Sequence, residues 1–375
     1  MMRQYPEALK FLYDNLPMFQ RVGPAAYKKD LTNTRRLCEL LGNPHEKFRT
    51  VHVAGTNGKG SSSHMLASVL SEAGYRTGLY TSPHLKEFTE RIRINGDDIT
   101  QEFVVGFVNR VESAIHEIKP SFFEITVAMA LDYFAHNNVD IAVIETGLGG
   151  RLDSTNIIDP IVSLITNIGW DHRDILGDTL AMIASEKAGI IKRNRPVIIG
   201  EFQSEVADVF ISRAKEQSSE LHFASREFVI SRVDEVLSVT QNGELFFGEL
   251  VLPLKGHYQA KNLPGVLKTL ELLGRDLKIT KEQIRKGLER VTDNTGIKGR
   301  WQKLNERPLM ICDTAHNPDG MKEIIRQIDS MQFDHLHIVI GMVKDKDVSQ
   351  VLSIMPKRAS YYFCQARIPR AMEAE

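Results

Sequence analysis

A short apolar run followed at once by a glycine-rich loop constrains the fold of this chain most. Residues 50–54 (TVHVA) lead directly into the loop Gly55-Thr-Asn-Gly-Lys-Gly-Ser61. Residues 62–73 have a helical pattern that ends at Gly74, the usual residue after a helix C-terminus, and 77–81 have the composition of a second strand. A strand, a glycine loop, a helix and a strand form a βαβ unit, which predicts a parallel sheet.

The same alternation continues along the next hundred residues. Helices are predicted at 124–136 and 179–189, and strands at 141–145, 161–167 and 196–200. We therefore expect a P-loop-containing, doubly wound α/β domain with a mostly parallel sheet.

Other segments surround this predicted sheet. Amphipathic helices are expected at 6–20 and 31–41, a small β-rich subdomain at about 218–254, and further helices at 258–290. Within the subdomain, Gln241-Asn-Gly243 is typical of a hairpin turn.

A second α/β unit is predicted near the end of the chain. Residues 293–299 (DNTGIKG) are typical of a linker, and the alternation restarts after them. Strands are expected at 308–313, 335–341 and 359–364, and helices at 318–331 and 347–355. We expect an N-terminal ATP-binding domain over 1–292, a linker at 293–299, and a smaller Rossmann-like domain over 300–375 whose sheet is incomplete.

Composition excludes several classes of function. Lys and Arg number 47 against 48 Asp and Glu, so the chain is not an electrostatic nucleic-acid binder. The longest apolar runs, such as 125–131, are far shorter than the roughly 18 residues needed to span a bilayer. The three cysteines (Cys38, Cys312 and Cys364) lack metal-ligand spacing. We expect a cytoplasmic, reduced enzyme that binds neither membranes nor nucleic acids.

The glycine loop is suited to phosphate. Gly55, Gly58 and Gly60 allow backbone N–H groups to turn toward an anion, and Lys59 adds a positive charge. The strict Walker spacing fails, because Val53 and Gly60 stand where Gly and Ser or Thr would be required. The alternative is a glycine-rich turn that only joins a strand to a helix.

Six motifs in order resemble the folylpolyglutamate synthases, the folate branch of the Mur ligase superfamily. These motifs are Gly55–Ser61 (GTNGKGS), Tyr80–His84 (YTSPH), Glu145–Asp153 (ETGLGGRLD), Gly169–His172 (GWDH), Ser185–Lys192 (SEKAGIIK) and Asp313–Pro318 (DTAHNP). The resemblance covers roughly residues 50–320. It implies a monomeric ligase that phosphorylates a folate carboxylate with ATP and lets the amine of L-glutamate displace the phosphate. Dihydropteroate is expected as a second acceptor, in a dihydrofolate synthase activity.

A magnesium site is predicted beside the glycine loop. Glu145 ends a strand whose apolar residues are typical of a buried strand, and a carboxylate is costly to bury there without a cation. The resemblance implies that Ser82 and His172 join Glu145 around Mg²⁺, and that Lys187 is carbamylated and holds a second Mg²⁺. It also makes Lys59, His172 and Lys187 the catalytic residues. Without it, these would be a strand-end acid, a turn hydroxyl, a loop histidine and a solvated helix-terminal lysine.

Nucleotide contacts are expected from both parts of the chain. The loop residues Asn57, Gly58, Lys59, Gly60 and Ser61 would bind the phosphates of ATP. The resemblance adds Asn262 for base or ribose, Arg300 for phosphates, Asp313 for ribose, and His316 beside the nucleotide. A plain N-cap role is the alternative for Asn262.

The folate site is predicted from two segments. Ser121, Phe122, Phe123 and Glu124, together with Leu152, Asp153 and Ser154, match segments that hold the pterin in bifunctional relatives. The two phenylalanines could instead be core residues, and Asp153 could cap a turn. Arg91, Arg93 and Arg151 are candidates for the carboxylates of glutamate, although 86–91 could equally be a solvated surface segment.

Two other functions share part of this pattern. A cell-wall Mur ligase, which joins amino acids to a UDP-linked precursor, would have the same ATP site. A P-loop module that binds nucleotide without ligation would leave Glu145, His172 and Lys187 unexplained.

Overall fold

The computed structural model describes residues 3–23, 28, 30–344 and 348–374. The helices of this part of the chain are α1 Tyr5–Asn15, α2 Phe19–Val22, α3 Thr32–Leu40, α4 Lys59–Glu72, α5 Gln101–Ile118, α6 Phe122–His136, α7 Arg173–Leu176, α8 Leu180–Ala188, α9 Ala207–Glu216, α10 Ala224–Glu227, α11 Gln259–Leu273, α12 Lys281–Glu289, α13 Val291–Thr295, α14 Pro318–Asp329 and α15 Val348–Ile354. The strands are β1 Arg49–Ala54, β2 Thr77–Tyr80, β3 Ile92–Ile94, β4 Asp97–Asp98, β5 Ile141–Glu145, β6 Val162–Ile165, β7 Val197–Ile199, β8 Leu221–Phe223, β9 Phe228–Val233, β10 Val236–Gln241, β11 Glu244–Leu250, β12 Gln302–Glu306, β13 Leu309–Cys312, β14 His337–Ile340 and β15 Ser360–Phe363.

The central sheet has the doubly wound form that the sequence predicts. Its strand order is β4-β3-β2-β5-β1-β6-β7-β8, and all neighbours from β2 to β8 run parallel. Side chains on both faces of β1 are buried, as expected for a parallel strand covered by helices on each side. One core lies between the sheet and α4 and α11, and another lies against α5 and α6.

The topology of this sheet places the candidate site. The chain leaves β1 toward β2 and later crosses to β6 on the other side of β1, so the connections diverge at β1. A crevice for ligands opens at the carboxyl ends of strands at such a point. The glycine loop follows β1, Ser82 follows β2, and Glu145 ends β5 at this edge.

The C-terminal part forms where the sequence predicts, whereas the β-rich subdomain begins later than the predicted residue 218, because β8 is the edge strand of the central sheet and pairs with β7. Strands β9, β10 and β11 make an antiparallel sheet, and Asn242 and Gly243 have the positive φ angles of a tight hairpin turn. The C-terminal part contains the antiparallel pair β12–β13 and the parallel pair β14–β15, with α14 packed against α15.

Several boundaries differ from the predictions for local physical reasons. The helix predicted at 6–20 ends at Asn15, because Leu16 precedes Pro17 and takes an extended conformation. Part of the predicted linker is the helix α13, which buries Val291 and Thr295 against α4. The predicted helix 347–355 is described from Val348 onward, and its first residue lies outside the described residues.

Several elements are absent from the predictions. Among them are the strands β3, β4 and β12 and the helices α5, α7 and α9. The interpretation of 86–91 as a solvated segment is wrong, because Phe88 is 1 % exposed and Arg91 is 2 % exposed.

Candidate active site

One cavity of about 720 Å³ contains the predicted catalytic, nucleotide and metal residues. It opens at the carboxyl edge of the sheet and is closed from the other side by residues of the C-terminal part. The predicted residues that line it are Asn57, Gly58, Lys59, Gly60, Ser61, Ser82, Glu145, His172, Lys187, Asn262, Arg300, Asp313 and His316. Residues separated by more than 250 positions in the sequence therefore face a common space.

The glycine loop is held in a conformation that only glycine fits. Gly58 has a φ of +84°, and a Cβ there would lie 2.1 Å from Oδ1 of Asn262. A Cβ at Gly55 would lie 1.8 Å from the Thr166 hydroxyl oxygen. The Asn57 N–H donates to Oδ1 of Asn167 at 2.9 Å, which fixes the loop against the end of β6.

Gly60 marks the point where a cation and a carboxylate approach the loop. A Cβ at this position would lie 3.0 Å from Nη2 of Arg300 and 3.8 Å from Oε1 of Glu145. Arg300 is oriented by bonds from Nη1 to the Gly299 carbonyl, at 3.0 Å, and to the Thr314 hydroxyl. The start of α4 thus faces groups of both signs, as a site for a metal–phosphate complex requires.

Glu145 is a buried carboxylate at the centre of this arrangement. It is 4 % exposed, and its Oε2 accepts a bond from the Ser82 N–H at 3.2 Å. Burial raises the pKa of Glu145 above its usual range, and the positive charge of Lys59 opposes this effect. A cation bound beside Glu145 would remove the cost of burying this charge.

Lys187 is not the solvated helix-terminal lysine that its position in the sequence allows. It lies near the end of α8, is 4 % exposed, and donates from Nζ to the Gly55 carbonyl at 2.9 Å. Burial, and then repulsion from Lys59, lower the pKa of Lys187 to about 7. A substantial fraction of this amine is therefore neutral, and nucleophilic, near neutral pH.

His172 lies at the mouth of the cavity, just before α7. It has a φ of 49°, and its ring makes an edge contact with Phe19, 5.6 Å between centroids. Its Nε2 lies 3.7 Å from Oδ2 of Asp171. Among the described residues, no group of three or more His, Cys, Asp or Glu side chains could by itself hold a metal ion. A metal bound by Glu145 and His172 would need further ligands, with oxygen atoms, beyond these two side chains.

The remaining nucleotide candidates come from α11 and the C-terminal part. Asn262 is not an N-cap, because α11 begins at Gln259 with Tyr258 before it; its side chain donates to Oε1 of Gln259 at 2.8 Å. His316 is exposed, and its Nε2 lies 3.4 Å from Oδ2 of Asp171. Asp313 accepts three hydrogen bonds, described below.

The first predicted folate segment, residues 121–124, forms the N-terminus of α6 and does not line the cavity. Ser121 and Glu124 form a capping box, in which the Ser121 N–H donates to Glu124 at 2.6 Å. Phe122 is a core residue stacked on Tyr13, while Phe123 lies over Gly147, where a Cβ would be 2.4 Å from its ring.

The second predicted folate segment supports the loop that lines the cavity. Asp153 is buried and accepts bonds from the backbone N–H of Leu148 at 2.7 Å and of Thr155 at 3.0 Å. Leu152 and Ser154 flank it and are partly buried. Contact of these seven residues with a pterin remains a prediction.

The three candidate arginines have different surroundings. Arg91 is buried, donates from Nε to Nδ1 of His84 at 2.8 Å, and has an Nη2 without a hydrogen-bond partner among the described residues. Arg93 lines the cavity and is paired with Asp98 at 2.7 Å. Arg151 is exposed and paired with Glu186, also at 2.7 Å. Of these three, Arg93 is therefore the one placed to meet a carboxylate in the cavity, whereas Arg91 is not part of the cavity lining.

Sequence reasoning missed the contacts that join the two parts of the chain across the cavity. Asn57 and Asn317 exchange two side-chain amide hydrogen bonds, at 3.2 and 2.9 Å. Lys261 pairs with Glu323 at 3.0 Å, and Tyr258 donates to Asp313. Asn317 lies within the Asp313–Pro318 motif, and this position is the sequence feature that could have identified it as a site residue.

Comparison with known proteins decides the family. Residues 53–269 match the Mur ligase middle domain, and residues 299–375 match the Mur ligase glutamate ligase domain. The folylpolyglutamate synthase of Lacticaseibacillus casei is 33 % identical over 358 residues, which cover 92 % of this chain and 81 % of that protein. The chain belongs to the folylpolyglutamate synthase branch of the Mur ligases.

Solved structures of the folylpolyglutamate synthase family have the same fold. An FPGS–AMPPCP–folate complex superposes with a TM-score of 0.87 at 30 % identity and covers 96 % of this chain and 89 % of that one. A probable bifunctional folylpolyglutamate synthase/dihydropteroate synthase of Haloferax volcanii is 34 % identical; the match covers 99 % of this chain but only 44 % of that protein's length. The predicted family, the α/β fold class and the class of ATP-dependent ligase are confirmed.

In the described part of the chain, no helix is both long enough and apolar enough to cross a membrane.

Proposed function

We propose that this chain uses ATP to join L-glutamate to folates through an acyl phosphate, and that it also accepts dihydropteroate. The observation that carries the proposal is the single cavity in which the glycine loop, Glu145, Lys187 and Arg300 meet. The relatives support both acceptors. Bacillus subtilis has a dihydrofolate synthase/folylpolyglutamate synthase that is 33 % identical and covers 93 % of this chain. A structure of Escherichia coli FolC with DHPP and ADP superposes with a TM-score of 0.87 at 29 % identity.

In this proposal the phosphates of ATP bind at the N-terminus of α4. The N–H groups of Gly58, Lys59, Gly60 and Ser61 would donate to phosphate oxygens, and Lys59 and Arg300 would neutralise the charge that develops during phosphoryl transfer. Asn57, whose N–H is held by Asn167, lines the same space. Lys59 now donates to two loop carbonyls, Gly55 and Thr56, at 3.0 and 3.2 Å. It would exchange these for phosphate oxygens when ATP binds.

The donor set suits Mg²⁺. Glu145 supplies a buried carboxylate, Ser82 a hydroxyl and His172 an imidazole, and the small number of protein ligands leaves room for the water and phosphate oxygens that Mg²⁺ retains. When bound there, Mg²⁺ would lower the charge of the phosphates. Histidine is the less usual member of this set, so Glu145 is the ligand on which the site depends most.

Lys187 is proposed to carry a carbamate. Its amine, after the ammonium form has lost one proton, would attack CO₂, form an N–C bond and release a second proton, so that a cation becomes an anion. The amine is buried beside the glycine loop and lines the same cavity as Glu145, which supports a role as ligand to a second Mg²⁺.

The acceptor is proposed to enter where Phe123 packs against Gly147, a residue that lines the cavity. The glutamate carboxylates would be directed to Arg93, which also lines the cavity, with the unpartnered Nη2 of Arg91 as a second candidate. No side chain needs to act as a covalent nucleophile, because the glutamate amine attacks the acyl phosphate directly.

We further propose that residues 300–375 close on the first 292 residues about the linker when substrates bind. The Asn57–Asn317 and Lys261–Glu323 pairs cross this boundary and support such a closure. Closure would exclude water from the acyl phosphate. A monomer in the cytoplasm is the setting proposed for this activity.

The test is mass spectrometry of the products formed from Mg-ATP, glutamate and either tetrahydrofolate or dihydropteroate. Products heavier by one glutamate residue are expected in both reactions and are expected to vanish in Lys59→Ala. Addition to tetrahydrofolate alone would remove the dihydropteroate activity from the proposal. No addition in either reaction, from protein shown to bind ATP, would contradict it.

A further inference from the structure

The first turn of α11 connects the two ends of the proposed nucleotide site. Tyr258, just before the helix, donates its hydroxyl to Oδ2 of Asp313 at 2.7 Å. Gln259, the next residue, donates from Nε2 to the Ser61 hydroxyl at 3.1 Å. Two adjacent side chains thus contact the carboxylate assigned to the ribose and a hydroxyl assigned to the phosphates.

The Asp313 carboxylate is nearly saturated. Its Oδ2 accepts from the Tyr258 hydroxyl and from the Trp301 N–H at 2.7 Å, and its Oδ1 accepts from the Ala315 N–H at 2.9 Å. A carboxylate offers about four lone-pair positions, two on each oxygen. Among the contacts of the described residues, one position is therefore left, on Oδ1.

The Gln259 side chain is a buried link in the same turn. It is 1 % exposed, and its Oε1 accepts from Nδ2 of Asn262, whose Oδ1 lies against Gly58. Buried amides need partners at both ends, and this one has Ser61 on one side and Asn262 on the other. Gln259 therefore fixes the glycine loop relative to α11.

We propose that Tyr258 is a positioning residue for the nucleotide: by holding Oδ2 of Asp313, it directs the free lone pair of Oδ1 to a ribose hydroxyl, while Gln259 sets Ser61 at the phosphate end. This inference rests on the proposed function, since it takes Asp313 as the ribose-binding acid. Tyr258 precedes the helix that carries Asn262, so the ribose and phosphate ends are held in a fixed relation by one helical turn.

The variant that tests this role is Tyr258→Phe, which removes the hydroxyl and keeps the ring that packs on Gly256. The measurement is kcat/KM with ATP and with its 2′-deoxy and 3′-deoxy analogues. The preference for ATP over at least one analogue is expected to fall about five- to tenfold, the factor that one hydrogen bond of ordinary net strength makes. Gln259→Met is expected to raise the KM for ATP and for the analogues equally, and so to leave this preference unchanged.

Two further variants separate the possible failures. Tyr75→Phe removes a hydroxyl that accepts from the Lys278 N–H at 2.8 Å outside the cavity, and it should keep the wild-type preference. Asp313→Asn should lose the preference. If Asp313→Asn loses it and Tyr258→Phe keeps it, the positioning role is overturned and the ribose role of Asp313 stands. If both keep it, Asp313 does not bind ribose, and that part of the proposed function fails with the inference.

Discussion

The side-chain nitrogens of Lys59 and Lys187 donate to the same acceptor, the carbonyl oxygen of Gly55, at 3.0 and 2.9 Å. Two amino groups that share one oxygen repel each other when both are charged. The cost falls on Lys187, because it is the more deeply buried of the two. The pair therefore combines the cation proposed to bind phosphate with the amine proposed to become a carbamate.

We predict that Lys187→Met lowers kcat about 100-fold, the upper range for loss of a group that supports a metal site. With ¹³C-labelled bicarbonate, the wild type should show a carbamate carbon by NMR that the variant lacks. Lys192→Met is the matched control: Lys192 is partly buried, burial lowers its pKa to about 8, and its Nζ donates to the Asn156 carbonyl outside the cavity. A signal that persists in Lys187→Met and disappears in Lys192→Met would show that Lys192, and not Lys187, carries the carbamate.

Gly58→Ala is predicted to abolish tight ATP binding without unfolding the protein. The new Cβ would meet Oδ1 of Asn262 at 2.1 Å, so Asn262 or the loop must move. Gly74→Ala is the control, because Gly74 has a φ of +89° but nothing within 4 Å of an added Cβ. Both variants should lose about 1 kcal/mol of stability from left-handed strain. Calorimetric titration with ATP should show weakened binding only for Gly58→Ala; equal affinities in the two variants would show that ATP binding does not depend on the close approach of Gly58 and Asn262.

Much of the central sheet could be predicted because its strands are short, apolar and bounded by glycine or polar residues. The strand β5 spans Ile141–Glu145, the range that the sequence predicts. The hairpin of β3 and β4 could not be predicted in this way, because β3 is three residues long and carries the buried Arg93. Arg93 is buried through its pairing with Asp98, but in the sequence around it nothing distinguishes it from a solvated arginine.

For the site, residue types and spacing predicted the glycine loop, and the family resemblance supplied most of the rest. Its nucleotide and metal candidates line one cavity. The Tyr258–Asp313 and Asn57–Asn317 bonds join residues 55 and 260 positions apart. Such bonds depend on how the two parts of the chain meet, which no local pattern encodes.

Glu145→Gln is predicted to weaken the dependence on Mg²⁺ selectively. The amide keeps the shape of the side chain but has no charge for a cation, and the Mg²⁺ concentration for half-maximal activity should rise about 10- to 100-fold. ATP binding in EDTA should stay close to that of the wild type. Glu186→Gln, which changes a carboxylate paired with Arg151 outside the cavity, should keep the wild-type Mg²⁺ requirement. An unchanged requirement in Glu145→Gln would exclude Glu145 as a ligand.

His52 is a buried, neutral histidine in β1. The Thr155 hydroxyl donates to Oδ1 of Asp153, so it must accept from the His52 Nε2–H, 2.8 Å away. Nδ1 of His52 is buried without a partner among the described residues. A second proton would thus create an unpaired buried cation, and burial, followed by Lys192, lowers the pKa of His52 to about 3.

Stability should therefore depend on pH through His52. The unfolded histidine, with a pKa near 6.5, binds a proton between about pH 6.5 and 3, whereas the folded one does not. The contribution of neutral His52 to the free energy of unfolding is complete above pH 6.5 and decreases as the pH falls toward 3. In His52→Gln, an amide N–H can still donate to Thr155 but does not titrate, so Tm should decrease less steeply over this range. His335→Gln, at an exposed position, should follow the wild-type slope. Parallel Tm curves for His52→Gln and the wild type in calorimetry would show that His52 does not resist protonation.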